Sequence, residues 1–319
     1  MKYMSEDHYV AQTYLKFFSN QENKLIPYYK NKHVIIGKAK STKSICKETN
    51  GYTSKYLEDP RFLDKYLPNF ENNWKSNIQS IMNNTISSKI KYEISGYLAY
   101  LRSCTKTAKR LGIQKLTTLM KPISDEVLYE NLPDDIDLKN KILKLLANDE
   151  IKIKIDSEYP HAININNLIH LIRTYFISDW MVVEINDNKY FVTSDNPLIV
   201  LENKNLTGPK NMFIPISPKY GIIINITYDK IYNKTENEKF DIKSISSGEM
   251  KKNGVEFFNE QIIKNAEDVV LHSAIDEHLE KLVKYFRRFK TIIKTDYLPA
   301  GNGDYIISRE ITSDSADPV

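Results

Sequence analysis

Trp180-Met181-Val182-Val183-Glu184-Ile185-Asn186-Asp187-Asn188-Lys189-Tyr190-Phe191-Val192-Thr193-Ser194-Asp195-Asn196-Pro197 is the stretch where the chain changes texture. Before it, apolar residues recur at helical spacing. From Trp180 onward they fall in short β-branched and aromatic runs bounded by turn residues. Trp180–Ile185 and Lys189–Thr193 read as strands around the turn Asn186-Asp187-Asn188. Leu198–Leu201, Met212–Ile216 and Gly221–Ile226 extend the β pattern, split by Gly208-Pro209 and Ser217-Pro218.

Upstream, residues 8–19 read as a helix with Val10, Ala11, Tyr14, Leu15, Phe17 and Phe18 on one face. Leu25–Tyr29 and His33–Ile36 suggest a hairpin across Lys30-Asn31-Lys32, followed by a loop through Cys46, Gly51 and Pro60. Phe70, Trp74, Ile78 and Ile81 mark a helix, and Ile86 to about Leu111 a longer one. Further helices are expected from Ser124, over Asp134–Ala147 and over His161–Ile177. Downstream, Val255–Ala266 reads as a helix, Val269–Ser273 as a strand and Ala274–Lys290 as an amphipathic helix. Tyr305–Ile307 is the one ordered piece expected beyond Pro299.

The fold class that follows is α+β: a helical N-terminal half with a short hairpin, then a mainly antiparallel sheet and C-terminal helices. One domain is expected over 1–298, helical over about 61–178 and β-rich over about 179–273, with a loosely ordered tail at 299–319.

The chain has 319 residues, 41% hydrophobic and 27% charged, as expected of a soluble protein. It has no apolar run of membrane-spanning length and no secretory leader at Met1–Asp7, so a cytoplasmic protein without a membrane partner is expected. Cys46 and Cys104 have neither disulfide-framework nor metal-ligand spacing and read as reduced thiols, Cys104 buried on a helix. The net charge is only +4. Its bases cluster in two stretches, Thr85–Pro122 and Lys281–Lys294, where two basic helices would offer a polyanion a footprint. No phosphate-binding glycine loop, nucleophile elbow, zincin helix or cysteine zinc cluster is present.

Two polar segments stand out. His8 and Gln12 lie one helical turn apart at the edge of an apolar face. Histidine can move a proton or ligate a metal, and the glutamine can hold a phosphate or a water. Ser194, Asp195 and Asn196 sit at a strand end fixed by Pro197, and offer hydroxyl, carboxylate and amide, a set suited to Mg²⁺ or Mn²⁺ and phosphate. Such Asx-Pro segments are also ordinary turn formers. Glu71 and Arg102 stand at core borders. Arg102 would clamp a phosphate or pair with Glu71. Asn259 is a weaker substrate-binding candidate.

These segments resemble a large bacterial family of unknown function. Its members open with a motif close to H-Y-V-P-Q-x-Y-L-x-x-F and carry a central T-S-D-N-P. Here they stand as His8-Tyr9-Val10-Ala11-Gln12-Thr13-Tyr14-Leu15-Lys16-Phe17-Phe18 and Thr193–Pro197, with Ala11 in place of the proline. The surroundings of Glu71, Arg102 and Trp180, Pro215–Pro218 and Phe257–Asn259 also fit, over roughly residues 6–290. The resemblance implies a shared site without naming an activity.

The expected function is a phosphodiesterase, foremost a nuclease acting on RNA or DNA as an antiphage or toxin-like effector, with Mg²⁺ or Mn²⁺ as the cofactor to test. His8 would be general acid or base, Asp195 metal ligand or orienting carboxylate, Glu71 a further catalytic carboxylate. Gln12, Ser194, Asn196 and Asn259 would position substrate and Arg102 would stabilise phosphate charge. The competing expectation is a non-catalytic sensor that binds a nucleotide or phage component in the same cleft. The sequence leaves the oligomeric state open.

Overall fold

The computed structural model describes residues 5–148, 150–151, 154–201, 210–226, 242–246, 254–300 and 303–314. The expected turn at Gly208-Pro209 and the last residues of the tail lie outside them.

The chain opens with strand β1 (Glu6–His8), which pairs antiparallel with β4 (Lys47–Thr49). The expected helix over 8–19 is shorter. Ala11 is extended (φ −61°, ψ 144°), so α1 covers only Gln12–Leu15 and runs into a 3₁₀ turn at Lys16–Phe18. His8 thus ends a strand. Strand β2 (Lys24–Tyr29) pairs with β3 (Lys40–Ser41), and only the single bridge Tyr28–Ile36 realises the hairpin expected with His33–Ile36.

Helices dominate residues 62–177: α2 (Phe62–Tyr66), α3 (Pro68–Glu71), α4 (Trp74–Met82), α5 (Ser88–Cys104), α6 (Lys106–Glu130), α7 (Ile136–Ala147), α8 (Glu158–Asn166) and α9 (Leu168–Ile177). The long helix expected to reach Leu111 breaks at Thr105, which leaves the α region and caps α6 by accepting from Ala108 N at 3.3 Å. Helix α6 then runs through Pro122 and past Ser124, where a new start was expected. Helix α5 is buried along most of its length, between α3, α8 and α9. A Cβ at Gly96 would fall inside the Phe70 ring, so glycine is what lets α3 and α5 meet.

The stretch from Trp180 builds a five-stranded sheet in the order β10 (Ile242–Ser246), β5 (Asp179–Glu184), β9 (Tyr220–Ile226), β8 (Lys210–Pro215), β7 (Ile199–Leu201). All its pairings are antiparallel except β10 with β5. Alternation explains its place. Trp180, Val182, Met212, Ile214, Ile222 and Ile224 face the helical half. Val183, Phe213 and Ile199 face the C-terminal helices. Trp180 lies opposite Ile224, and Ile224 opposite Met212, so one apolar row crosses three strands. Fully burying such side chains contributes about 1.5–3 kcal/mol each. This double burial gives the stretch its continuous apolar character.

Lys189–Val192 forms no strand. Only Thr193–Ser194 (β6) does, pairing with β11 (Val269–His272) in a second sheet, β3-β2-β11-β6. Two helices flank β11: α10 (Gly254–Asn265) and α11 (Glu277–Phe286), which Asp276 caps through Leu279 N at 2.9 Å. The helix expected to reach Lys290 stops at Phe286. In place of a loose tail, β12 (Phe289–Ala300) and β13 (Gly303–Asp314) form a long antiparallel hairpin. The structure is α+β with mainly antiparallel sheets.

Candidate functional site

The backbone of the first motif is held by tyrosines. Tyr52 OH donates to His8 O at 2.7 Å, and Tyr100 OH donates to the same oxygen. Tyr97 OH accepts from Ala11 N at 3.1 Å. Strand alternation buries Asp7 and Tyr9 and turns His8 toward the other side. The His8 ring is half-buried, its Nε2 has no hydrogen-bond partner among the described residues, and burial lowers its pKa against the backbone of Lys43 and Thr42. Gln12 opens α1 and is partly exposed.

Glu71 ends α3. Its carboxylate makes no hydrogen bond or ion pair among the described residues, and burial pushes it up to about 7. Its charge bears on the hydroxyls of Tyr97 and Tyr52.

The second motif is a buried junction. Tyr14 OH donates to Pro215 O at 2.7 Å and so accepts from Thr193 Oγ1, 2.8 Å away. Ser194 Oγ accepts from Asn196 N at 3.1 Å. Asp195 is 1% exposed. Its Oδ1 accepts from Glu267 N at 2.9 Å, and its Oδ2 from Asp268 N at 2.8 Å and Val269 N at 3.2 Å. Burial pushes this carboxyl up to about 7, with the Asp268 and Glu267 N–H donors acting against it. Asn196 Nδ2 donates to Asn265 O at 3.0 Å. Asn259 pins the segment before β6, accepting from Val192 N at 3.0 Å and donating to Tyr190 O at 2.8 Å.

Folding therefore joins the two motifs, through Tyr14 and Thr193. The Tyr9 hydroxyl is raised by burial, with Cys46 and Asp195 adding to it. His8 instead has Lys47 and Asp7 as charged neighbours. Both Asp195 oxygens are taken by backbone donors. Among the described residues no group of three His, Cys, Asp or Glu side chains is placed to hold a metal ion.

Around this junction lies an ion network. Arg110 grips Glu267 through Nε and Nη2, each at 2.8 Å, and Lys106 reaches Asp268 at 3.1 Å. Lys30, 2% exposed, donates to Ile263 O, Lys264 O, Ala266 O and Phe289 O at 2.7–3.0 Å. It satisfies the carbonyls at the α10 C-terminus, where a cation is favoured, and burial lowers it to about 8.

A cleft opens beside Arg102. Its volume is about 340 Å³, and it is bounded by α5, α6, α8, α9 and the β12–β13 hairpin. Arg102, Lys115 and His170 line it, as do Ser103, Ile293 and Glu310. Arg102 pairs with Glu310, not with Glu71. Burial works against the Arg102 charge, and the Glu310 carboxylate outweighs it, raising the pKa. Ser103 Oγ is buried and has no hydrogen-bond partner among the described residues.

A family model described as a protein of unknown function, DUF4238, matches residues 6–276. The chain belongs to the DUF4238 family. Comparison with curated proteins and comparison with solved structures each gave no match. The DUF4238 match takes in both motifs, Arg102, Lys115 and His170, and ends before β12 and β13.

Of the expected site residues, only Arg102 lines this cleft. Lys115 belongs to the first basic stretch; Ser103, His170 and Glu310 carry no signal in the sequence as site residues because they sit on three different elements with no shared spacing. The first basic stretch is largely neutralised inside the fold: Arg102, Lys106, Lys109 and Arg110 pair with Glu310, Asp268, Glu48 and Glu267. In the second, Lys281, Lys284 and Arg287 are exposed without ion pairs among the described residues, and Arg288 pairs with Asp314. No helix among the described residues is long and apolar enough to cross a membrane.

Proposed function

We propose that the Arg102 cleft binds a phosphate-bearing ligand, a nucleotide or a nucleic-acid end. The observation that carries this reading is the lining itself. A guanidinium able to fork onto an oxyanion stands with an ammonium, an imidazole and a buried hydroxyl lacking a partner among the described residues, in a concave space. A buried unpaired hydroxyl is unfavourable by roughly 1–3 kcal/mol, which a ligand oxygen would relieve. In this reading the two motifs hold the frame, and His8 and Asp195 act through architecture.

A hydrolytic reading, a phosphodiesterase or nuclease in an antiphage or toxin-like role, draws on His170. Its imidazole lines the same cleft and can accept or donate at its two nitrogens.

Thermal unfolding with inorganic phosphate, nucleotides and short RNA and DNA tests both. A ligand at a hundredfold its Kd stabilises the folded state by about 2.7 kcal/mol. The wild type should melt higher with at least one phosphate ligand, and Arg102→Gln should lose that shift. The same mixtures, incubated with and without Mg²⁺ or Mn²⁺, show whether RNA or DNA is cut and whether His170→Ala abolishes cutting. The binding reading fails if no phosphate ligand moves the melting temperature.

A further inference from the structure

We infer that Glu310 is a built-in competitor for the Arg102 cleft: its carboxylate occupies the guanidinium that the ligand's phosphate takes, and must be displaced on binding. The inference rests on the phosphate reading and concerns how that site is regulated.

The pair joins two walls of the cleft. Arg102 lies in the last turn of α5 and Glu310 on β13, and both side chains keep partial exposure, 24% and 19%. They can therefore separate without unpacking the core. A carboxylate and a phosphate present the same feature to a guanidinium, two oxygens spaced for parallel N–H donors. Glu310 meets Arg102 through one contact, Nη2 to Oε1, and the Ser103 hydroxyl has no partner among the described residues.

The carboxylate is held close by its backbone. Glu310 lies opposite Ile293 in the hairpin register. Ile293 is clamped by Gln114, whose Oε1 accepts from Ile293 N at 3.1 Å and whose Nε2 donates to Ile293 O at 3.3 Å. Arg110 Nη2 donates to Thr291 O at 2.8 Å. A tethered group of this kind competes at high effective concentration. It also remains nearby as a negative charge after displacement. A phosphate ligand must therefore gain enough from Lys115, His170 and Ser103 to outweigh the exchange. β12 and β13 lie beyond the residues of the family match, so the competitor comes from the C-terminal segment and the cation from the matched domain.

The decisive comparison is calorimetric titration of inorganic phosphate into the full chain as wild type, Glu310→Gln, Glu310→Asp and Arg102→Gln. Glu310→Gln should bind phosphate at least tenfold more tightly than wild type. Glu310→Asp, with its charge kept on a shorter arm, should fall between them, and Arg102→Gln should lose binding. Phosphate affinity that is unchanged or weaker in Glu310→Gln, while Arg102→Gln loses it, overturns the competitor and leaves the cleft reading intact. Absence of phosphate binding in all four proteins overturns the cleft reading itself. If Glu310→Gln does not fold, a Glu310→Asp affinity equal to wild type overturns the competitor.

Discussion

Glu71 carries a carboxylate that the fold buries and leaves without a partner among the described residues, and burial raises its pKa to about 7. A carboxyl raised above its unfolded value binds its proton more tightly in the folded state. Its contribution is fully present below the ordinary carboxyl range, near pH 4.5, and is lost as pH rises to about 7. Glu71→Gln removes that slope. The variant should melt about 2 °C or more above wild type at pH 8 and close to wild type at pH 4, measured by calorimetry. Single residues were the least legible level of the sequence. His8 reads as the reactive group of its motif on a helical wheel, yet His8 ends a strand and the extended backbone at Ala11 delays the helix to Gln12. Asp195 reads equally as turn former and ligand. The structure adds three backbone donors some seventy residues downstream, at Glu267, Asp268 and Val269, which local spacing does not reveal.

Elements were more legible where one period ran unbroken. Helix α10 and strands β5, β8 and β9 follow their apolar patterns because their apolar residues are buried; α7 forms as read although none of its residues is buried. The misreadings have a common cause: a long-range partner overrides local preference. Lys189–Val192 has strand composition, but Asn259 ties its backbone to α10. The residues after Phe286 were read as helix and loose tail, yet they pair with each other and dock on α6. Asn265 is central to that docking. Its Oδ1 accepts from Thr291 Oγ1 at 2.6 Å and from Thr312 Oγ1 at 3.3 Å, one from each arm of the hairpin. Asn265→Ala leaves both hydroxyls without this acceptor and should destabilise the hairpin by about 1–3 kcal/mol. Hydrogen exchange should then speed up across β12 and β13 relative to β8 and β9. Equal protection in all four strands would show that Asn265 does not hold the hairpin.

At the scale of the whole molecule, one sheet buried on both faces divides a helical half from a C-terminal helical layer. The motif residues around Asp195 weld β6, β11 and the end of α10 together, and through Asn265, Arg110 and Lys30 they hold the hairpin against α6. That weld positions Ile293 and Glu310 at the cleft whose other walls are α5, α6, α8 and α9. The α+β class was legible in the change of periodicity at Trp180. The cleft was not, because its lining converges from distant parts of the chain. The most direct test is a crystal structure of the protein grown with a nucleoside monophosphate. The account predicts the phosphate in the cleft, its oxygens about 3 Å from the Arg102 guanidinium and Ser103 Oγ, with the Glu310 side chain rotated away. A nucleotide bound instead beside His8 or Gln12, with the Arg102–Glu310 pair intact, would contradict it.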